Sequence, residues 1–333
     1  MKKIITILIA TFLTMNGYTQ CEKYEQALLN PLTVETLTIS CLPDKRVLLF
    51  KNLKQLNVQI NSSETLKFVD ELSKIKSLKG IMIYAPNVIS IDDEIFKDLN
   101  LNSLTISCGR ITQIPKSIER QEQLVYLNLN TKALERLELD CKSLVSLEKL
   151  EITSNHLTSI QLDWHKLLNL EFLTLYCENL SVFPIPIFEM SKLKFIDLFS
   201  NQHLEVKKIN ALNQVQRIRW KGCKEIPNEF CKLKNLKELI FDQGEIKKVP
   251  TCIGNLTNLE ELKLTDQPLE FIPDELKNMR KLIFLDLSGT RISNLSNVFL
   301  DSYKGQYLIL KGCNYMSESR LKEIKKTYKF IRT

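Results

Sequence analysis

The chain has 333 residues, 44% hydrophobic, 8% aromatic and 26% charged, a balance that supports a large buried core and excludes intrinsic disorder. Its formal charge of +7 becomes +5 without Lys2 and Lys3, and Lys and Arg alternate with Asp and Glu along most of what remains, which gives no nucleic-acid signature. No Gly-, Ser- or Pro-rich linker divides the sequence, so one continuous body is expected.

Residues 1–20 carry two lysines, an apolar run from Ile4 to Met15, and then the small residues Gly17 and Thr19, which is the pattern of a secretory signal peptide. The run is about twelve residues, short of the roughly 20 that a spanning helix needs. The expectation is therefore export to the medium, the periplasm or the cell surface. The mature chain would begin near Gln20 or Cys21 and hold no transmembrane segment. Lipid attachment at Cys21 ranks lower, because Tyr18 and Gln20 stand where a lipoprotein signal has Leu and a small residue. Residues 21–52 follow as an amino-terminal cap, with Val34–Ile39 as a degenerate first strand and Cys21 and Cys41 as a candidate disulfide.

From Leu53 the sequence repeats. Position 1 falls at Leu53, Leu78, Leu101, Leu124, Leu147, Leu170, Leu193, Val215, Leu236, Leu259 and Leu282, with spacings of 21 to 25 residues, most of them 23, and Gly305 continues the count. Position 4, from Leu56 to Leu308, and position 6, from Val58 to Leu310, are apolar at all twenty-four sites. In a chain this apolar, such a match has odds on the order of one in a hundred million. Alternation at positions 4 and 6 puts both side chains on one face of a short strand, and positions 3, 5 and 7 on the other. A single repeat cannot bury its apolar stripe, so neighbouring repeats stack as parallel strands.

This pattern resembles the leucine-rich-repeat family, L-x-x-L-x-L-x-x-N-x-L, with Leu147–Ile160 as its cleanest copy. Ile114-Pro115, Phe183-Pro184, Ile226-Pro227, Val249-Pro250 and Ile272-Pro273 are similar to the apolar-Pro pair of the 23-residue class, of the secreted bacterial type. The resemblance implies an α/β fold: a right-handed horseshoe with a parallel sheet on its concave face and irregular, extended or short helical convex segments. Eleven repeats then span residues 53–304, and residues 305–333 hold the last repeat and a helical cap that begins at Ser317 and ends in a strand-like tail. One departure stands out. Position 9, where the family places Asn at the turn, holds Asn at Asn61, Asn155 and Asn201 and other residues elsewhere, which puts the regularity of the turn in doubt.

The nine cysteines are an odd number, so at least one lacks an internal partner. Cys141 reads as core filling. Cys108 and Cys177 are roughly 14 Å apart on the strand repeat and do not pair, while Cys231 and Cys252 lie on adjacent convex segments and are a candidate pair. No Cys/His cluster has metal-ligand spacing, and no P-loop, dinucleotide or EF-hand motif is present, so no metal or cofactor is expected. His156, His165 and His203 are the three histidines, and no nucleophile motif accompanies them. The chain reads as a binding scaffold, not an enzyme.

The register assigns the open, concave face. Phe172, Tyr176, Phe195 and Phe199 fall on it in adjacent repeats, with Thr174 and Asp197 between them, and the next repeat adds Arg217, Arg219 and Lys221. Aromatic residues beside Arg are favoured anchors of interfaces. The expected partner is a protein or peptide bound by a monomer through Phe172, Tyr176, Phe195, Asp197, Phe199, Arg217, Arg219 and Lys221. A glycan stacked on the aromatic rings is the alternative.

Overall fold

The computed structural model describes residues 22–182, 190–200, 212–328 and 331–332. Residues 1–21, with Cys21, and Phe183-Pro184, Asn201 and His203 lie outside them. The described strands are β1 (Thr36–Ile39), β2 (Gln55–Gln59), β3 (Gly80–Tyr84), β4 (Ser103–Ser107), β5 (Tyr126–Asn130), β6 (Arg136–Leu139), β7 (Lys149–Ser154), β8 (Ser159–Leu162), β9 (Phe172–Cys177), β10 (Phe195–Phe199), β11 (Arg217–Lys221), β12 (Glu238–Asp242), β13 (Glu261–Thr265), β14 (Phe284–Asp286), β15 (Tyr307–Ile309) and β16 (Ile331–Arg332). Fourteen of them form one sheet in chain order, leaving out β6 and β8, which pair with each other. Every pairing of the long sheet is parallel and in the register set by positions 4 and 6; Leu198 of β10, for example, lies between Leu175 and Trp220.

The side chains at positions 1, 4 and 6 form the core, and none of them with an apolar side chain is more than 3% exposed. Stacked rungs share these stripes, so each rung is buried by its neighbours. On the far side of the core most rungs run through single 3-10 turns. A helical turn is about 10 Å across and strands are about 4.8 Å apart, so the stack bends toward the sheet and leaves it on the inner, concave side.

Proline marks the longer 3-10 turns of the convex side, whereas the rungs with Lys67 and Gln161 carry three-residue turns at Leu72–Lys74 and Trp164–Lys166. Pro115, Pro227, Pro250 and Pro273 each precede a five-residue 3-10 turn, at Lys116–Arg120, Asn228–Lys232, Thr251–Asn255 and Asp274–Asn278. Proline has no N–H for a strand ladder and its fixed φ suits the first turn of a helix. Two consecutive rungs carry Glu138 and Gln161 at that place, and there the convex side forms the β6–β8 ladder. The rungs with Lys67 and Asp92 also pair, through a parallel bridge from Leu66 to Ile91 in which Asp92 N–H donates to Leu66 O at 2.9 Å.

The turn that follows each strand comes in two forms. In the rungs up to β10, position 8 points inward: Cys108, Thr131, Ser154, Cys177 and Ser200 are all buried. From β11 onward, position 8 has a left-handed backbone, at Gly222, Gln243, Asp266, Gly289 and Gly312 (φ +48° to +80°), and the inward residue is position 9, including Cys223, Gln267, Thr290 and Cys313. A left-handed residue turns the chain one place later, and the change coincides with the two short spacings between Leu193 and Leu236. Asn61 and Asn155 are exposed and do not build an inward ladder. The inward role falls instead to short side chains: Ser154 Oγ donates to Leu134 O at 2.8 Å and Ser200 Oγ to Leu180 O at 2.7 Å. An asparagine bond between rungs does recur, one place before position 1. Asn52, Asn169, Asn235 and Asn258 each donate from the amide to a carbonyl of the preceding rung at 2.6 to 2.8 Å.

Both ends are closed. Helix α1 (Glu22–Ala27) packs on β1 with Tyr24 buried, its hydroxyl donating to Asp44 Oδ1 at 3.0 Å. A short helix α2 (Asn297–Ser302), capped by Ser296, replaces the 3-10 turn of the last full rung. Helix α3 (Glu318–Thr327) starts where Ser317 Oγ accepts from Arg320 N–H at 3.2 Å. Its Arg320 guanidinium reaches back to Asn294, Leu295 O and Asn297 at 2.7 to 2.9 Å, and β16 adds the final strand. Cys231 and Cys252 are bonded, with Cα atoms 5.6 Å apart; Cys108, Cys141, Cys177, Cys223 and Cys313 are free and buried. Cys41 is disulfide-bonded. Among the described residues no helix is long and apolar enough to cross a membrane.

Candidate functional site

The register brings the expected site residues together. On the open face, Phe172, Phe195, Arg217 and Glu238 make one row across β9 to β12; Thr174, Asp197, Arg219 and Ile240 make the second; Tyr176, Phe199, Lys221 and Asp242 make the third. Phe172 and Phe195 stack with centroids 4.5 Å apart and planes 8° from parallel. Arg217 lies over Phe195 at 5.2 Å, and Lys221 over Phe199 at 5.3 Å. Tyr176 meets Phe199 edge-on at 6.3 Å. All four rings are half-buried, because each covers the next along the stack. The patch is therefore flatter and less exposed than the sequence suggests.

The basic stripe is largely answered by acids that the sequence reading passed over. Arg219 donates through Nε and an Nη to Asp242 Oδ2 at 3.1 and 2.8 Å, and Arg217 lies 3.8 Å from Asp197 and 4.0 Å from Glu238. Glu238 and Asp242 occupy positions 3 and 7 of the next rung, so the same register could have found them. Lys221 has no carboxylate within 4.0 Å among the described residues. Asp197 sits at the centre of the patch, and its Oδ1 is buried without a hydrogen-bond partner. Burial pushes its carboxyl above the usual range, while Arg217 and Arg219 pull the other way. Burial also raises the Tyr176 phenol, with Asp197 adding to it.

The solved structures that resemble this chain are repeat proteins. A leucine-rich-repeat protein from Leptospira interrogans superimposes with a TM-score of 0.56 at 21% identity, over 95% of this chain and 100% of that one. An internalin from Listeria monocytogenes gives 0.54 at 15% identity, over 89% and 92%. The Toll–Spätzle complex of Drosophila gives 0.69 at 16% identity, over 83% of this chain and 39% of that chain. The fold is that of a leucine-rich-repeat protein. No model of a known protein family matches the sequence, and no curated protein matches it.

Among the described residues of this leucine-rich-repeat solenoid, five free cysteines are buried and two histidines are exposed. Burial pushes the Cys108, Cys141, Cys177 and Cys223 thiols up to about 12, which removes the thiolate that nucleophilic attack needs. His156 lies against Lys132 O at 2.7 Å, and His165 is 3.8 Å from Asp163; both are exposed. No group of His, Cys, Asp and Glu that could hold a metal occurs among the described residues.

The cation-over-ring contact of the patch recurs along the open face of the solenoid. Lys149 covers Tyr126 at 5.0 Å, Lys263 covers Phe284 at 5.0 Å and Arg332 covers Tyr307 at 4.7 Å. Tyr84 of β3 is the exception. It is 53% exposed, beside Met82 at 40%, and neither a ring nor a cation lies against it among the described residues. The sequence reading, drawn to the cluster of four aromatics, passed over this lone position 7.

Proposed function

We propose that this protein is an exported binding scaffold that recognises a protein or peptide ligand on the open face of β9 to β12. The observation that carries this reading is the density of anchoring side chains there. Four aromatics, Arg217, Arg219 and Lys221 lie within three strands on one face, and aromatics with Arg dominate the binding energy of protein interfaces. Asp197, Glu238 and Asp242 pair with the arginines, so the ligand surface best matched to the patch is one of mixed charge. A carboxylate of the ligand is set against Lys221, which among the described residues has no acid within 4.0 Å. Sugar stacking is disfavoured at this place because the faces of Phe195 and Phe199 are already occupied by Phe172, Arg217 and Lys221.

The leader-like residues 1–20 support export, and the similar fold solved in the Toll–Spätzle complex supports a scaffold role. The test is capture of a partner from the surface and medium of the producing cells by the wild-type chain, alongside Phe199→Ala and Lys221→Ala. A ligand held by the wild type and lost by both variants, each still folded with a cooperative melt, supports the assignment. A ligand held equally by all three overturns it.

A further inference from the structure

The open face of the sheet divides into two chemical halves. On β7 and on β10 to β13 it carries charged residues of both signs, from Lys149 and Glu151 to Glu261 and Lys263, with the aromatic rows among them. From β1 to β5 it carries Thr36, Thr38, Gln55, Asn57, Gln59, Gly80, Met82, Tyr84, Ser103, Thr105, Ser107, Tyr126, Asn128 and Asn130, with no Asp, Glu, Lys, Arg or His among them. The boundary is held by Glu151 of β7, which accepts from Tyr126 Oη at 2.7 Å and Asn128 Nδ2 at 2.6 Å.

Tyr84 stands in the middle of the neutral half, with Gln59 on one side and Ser107 on the other in register; Met82 lies in the row beside it, between Asn57 and Thr105. Among the described residues the side chains of Gln59, Thr105 and Ser107 make no hydrogen bond. Each offers both donor and acceptor capacity to solvent. The result is an open aromatic ring bordered by free hydroxyl and amide groups on a rigid sheet, within a patch about 10 Å by 7 Å.

We propose that the face of β2 to β4 around Tyr84 is a binding site for an uncharged carbohydrate chain. A sugar presents hydroxyls that both donate and accept, and an apolar ring face that can lie on Tyr84. A charged ligand finds no counter-ion there, and desolvating its charge against neutral groups is unfavourable. Tyr and Met also occur at protein interfaces, but the unbonded hydroxyls and amide of Thr105, Ser107 and Gln59 around the ring match a polyhydroxylated ligand better. The site is separate from the aromatic and charged patch of β9 to β12, and its assignment does not depend on that one.

The test is calorimetric titration of the full chain with short neutral oligosaccharides of glucose, mannose, galactose and N-acetylglucosamine. At least one should bind, with an affinity unchanged between about 0.05 and about 0.5 M salt. Tyr84→Ala should weaken it about tenfold, and Ser107→Asp should weaken it as well. Phe195→Ala should leave it within about twofold. Tyr84 and Ser107 are outside the core, so equal melting temperatures show that the variants fold. The proposal is overturned if none of the four sugars binds at about 10 mM, if Phe195→Ala removes binding while Tyr84→Ala does not, or if the affinity falls with salt.

Discussion

Leu198 and Phe199 are sequence neighbours on opposite faces of β10, and truncating each to Ala separates the core from the recognition surface. Leu198 is 1% exposed and packed in register between Leu175 and Trp220. Its removal leaves a cavity that flanking rungs cannot close without breaking the strand register, so Leu198→Ala should cost about 2 to 5 kcal/mol. Phe199 is half-buried and touches Tyr176 edge-on and Lys221 from above. Losing one edge contact and one cation contact at an open site should cost about 0.5 to 1.5 kcal/mol. Urea denaturation followed by the fluorescence of Trp164 and Trp220 reads both, since the two indoles are buried, and a constant m-value shows that the variants unfold in the same unit. Ligand affinity should respond in the reverse order, with Phe199→Ala losing about 2 kcal/mol. If Phe199→Ala destabilises the fold as much as Leu198→Ala, the aromatic rows are a structural covering of the sheet and the reasoning fails.

Gln161→Pro should abolish the β6–β8 ladder, because the rungs that carry proline at this place turn into 3-10 segments; an expected loss of about 1 to 2 kcal/mol and faster amide exchange confined to residues 136–139 and 159–162 would show it. Asp197→Asn should raise stability at neutral pH, since a carboxyl whose folded pKa lies above its ordinary value of 3.8 opposes folding when ionised. That gain should shrink as pH falls through the raised pKa and vanish below the ordinary one, as thermal melts across that range would record. The five free buried thiols should react with a disulfide reagent in denaturant and resist it in the native chain; rapid native labelling of Cys108 or Cys177 would show that the core opens.

The core was legible because it is periodic. Twenty-four apolar positions at two fixed places per repeat dictated strand, register and stacking, and the structure keeps that register from β2 to β15. Even the degenerate Val34–Ile39 and the tail at Ile331 became edge strands, since both continue the alternation. The turn chemistry was not legible. A left-handed residue at position 8 is signalled by Gly222, Gly289 and Gly312 but is hidden at Gln243 and Asp266, where rung-to-rung bonding overrides the preference of the side chain. The bonds of Asn52, Asn169, Asn235 and Asn258 lie outside the family's position 9, at a place where other residues alternate with asparagine and leave no periodic signal. The β6–β8 ladder follows from two consecutive missing prolines, a signal that appears when absences are counted as well as matches. At the candidate site the aromatic and basic rows were placed correctly side by side. Their mutual burial and the pairing of Arg217 and Arg219 with acids of neighbouring strands depend on side-chain rotamers that a register does not contain.

The claim that the open face of β9 to β12 recognises a macromolecular ligand is tested most directly by site-specific photocrosslinking. A photoreactive residue is placed at Thr174, between the aromatic rows, and in a separate chain at Lys232, exposed on the convex side. With the ligand captured from the cell surface or medium, the account predicts an adduct from position 174 and none from position 232. An adduct from position 232 alone would contradict it.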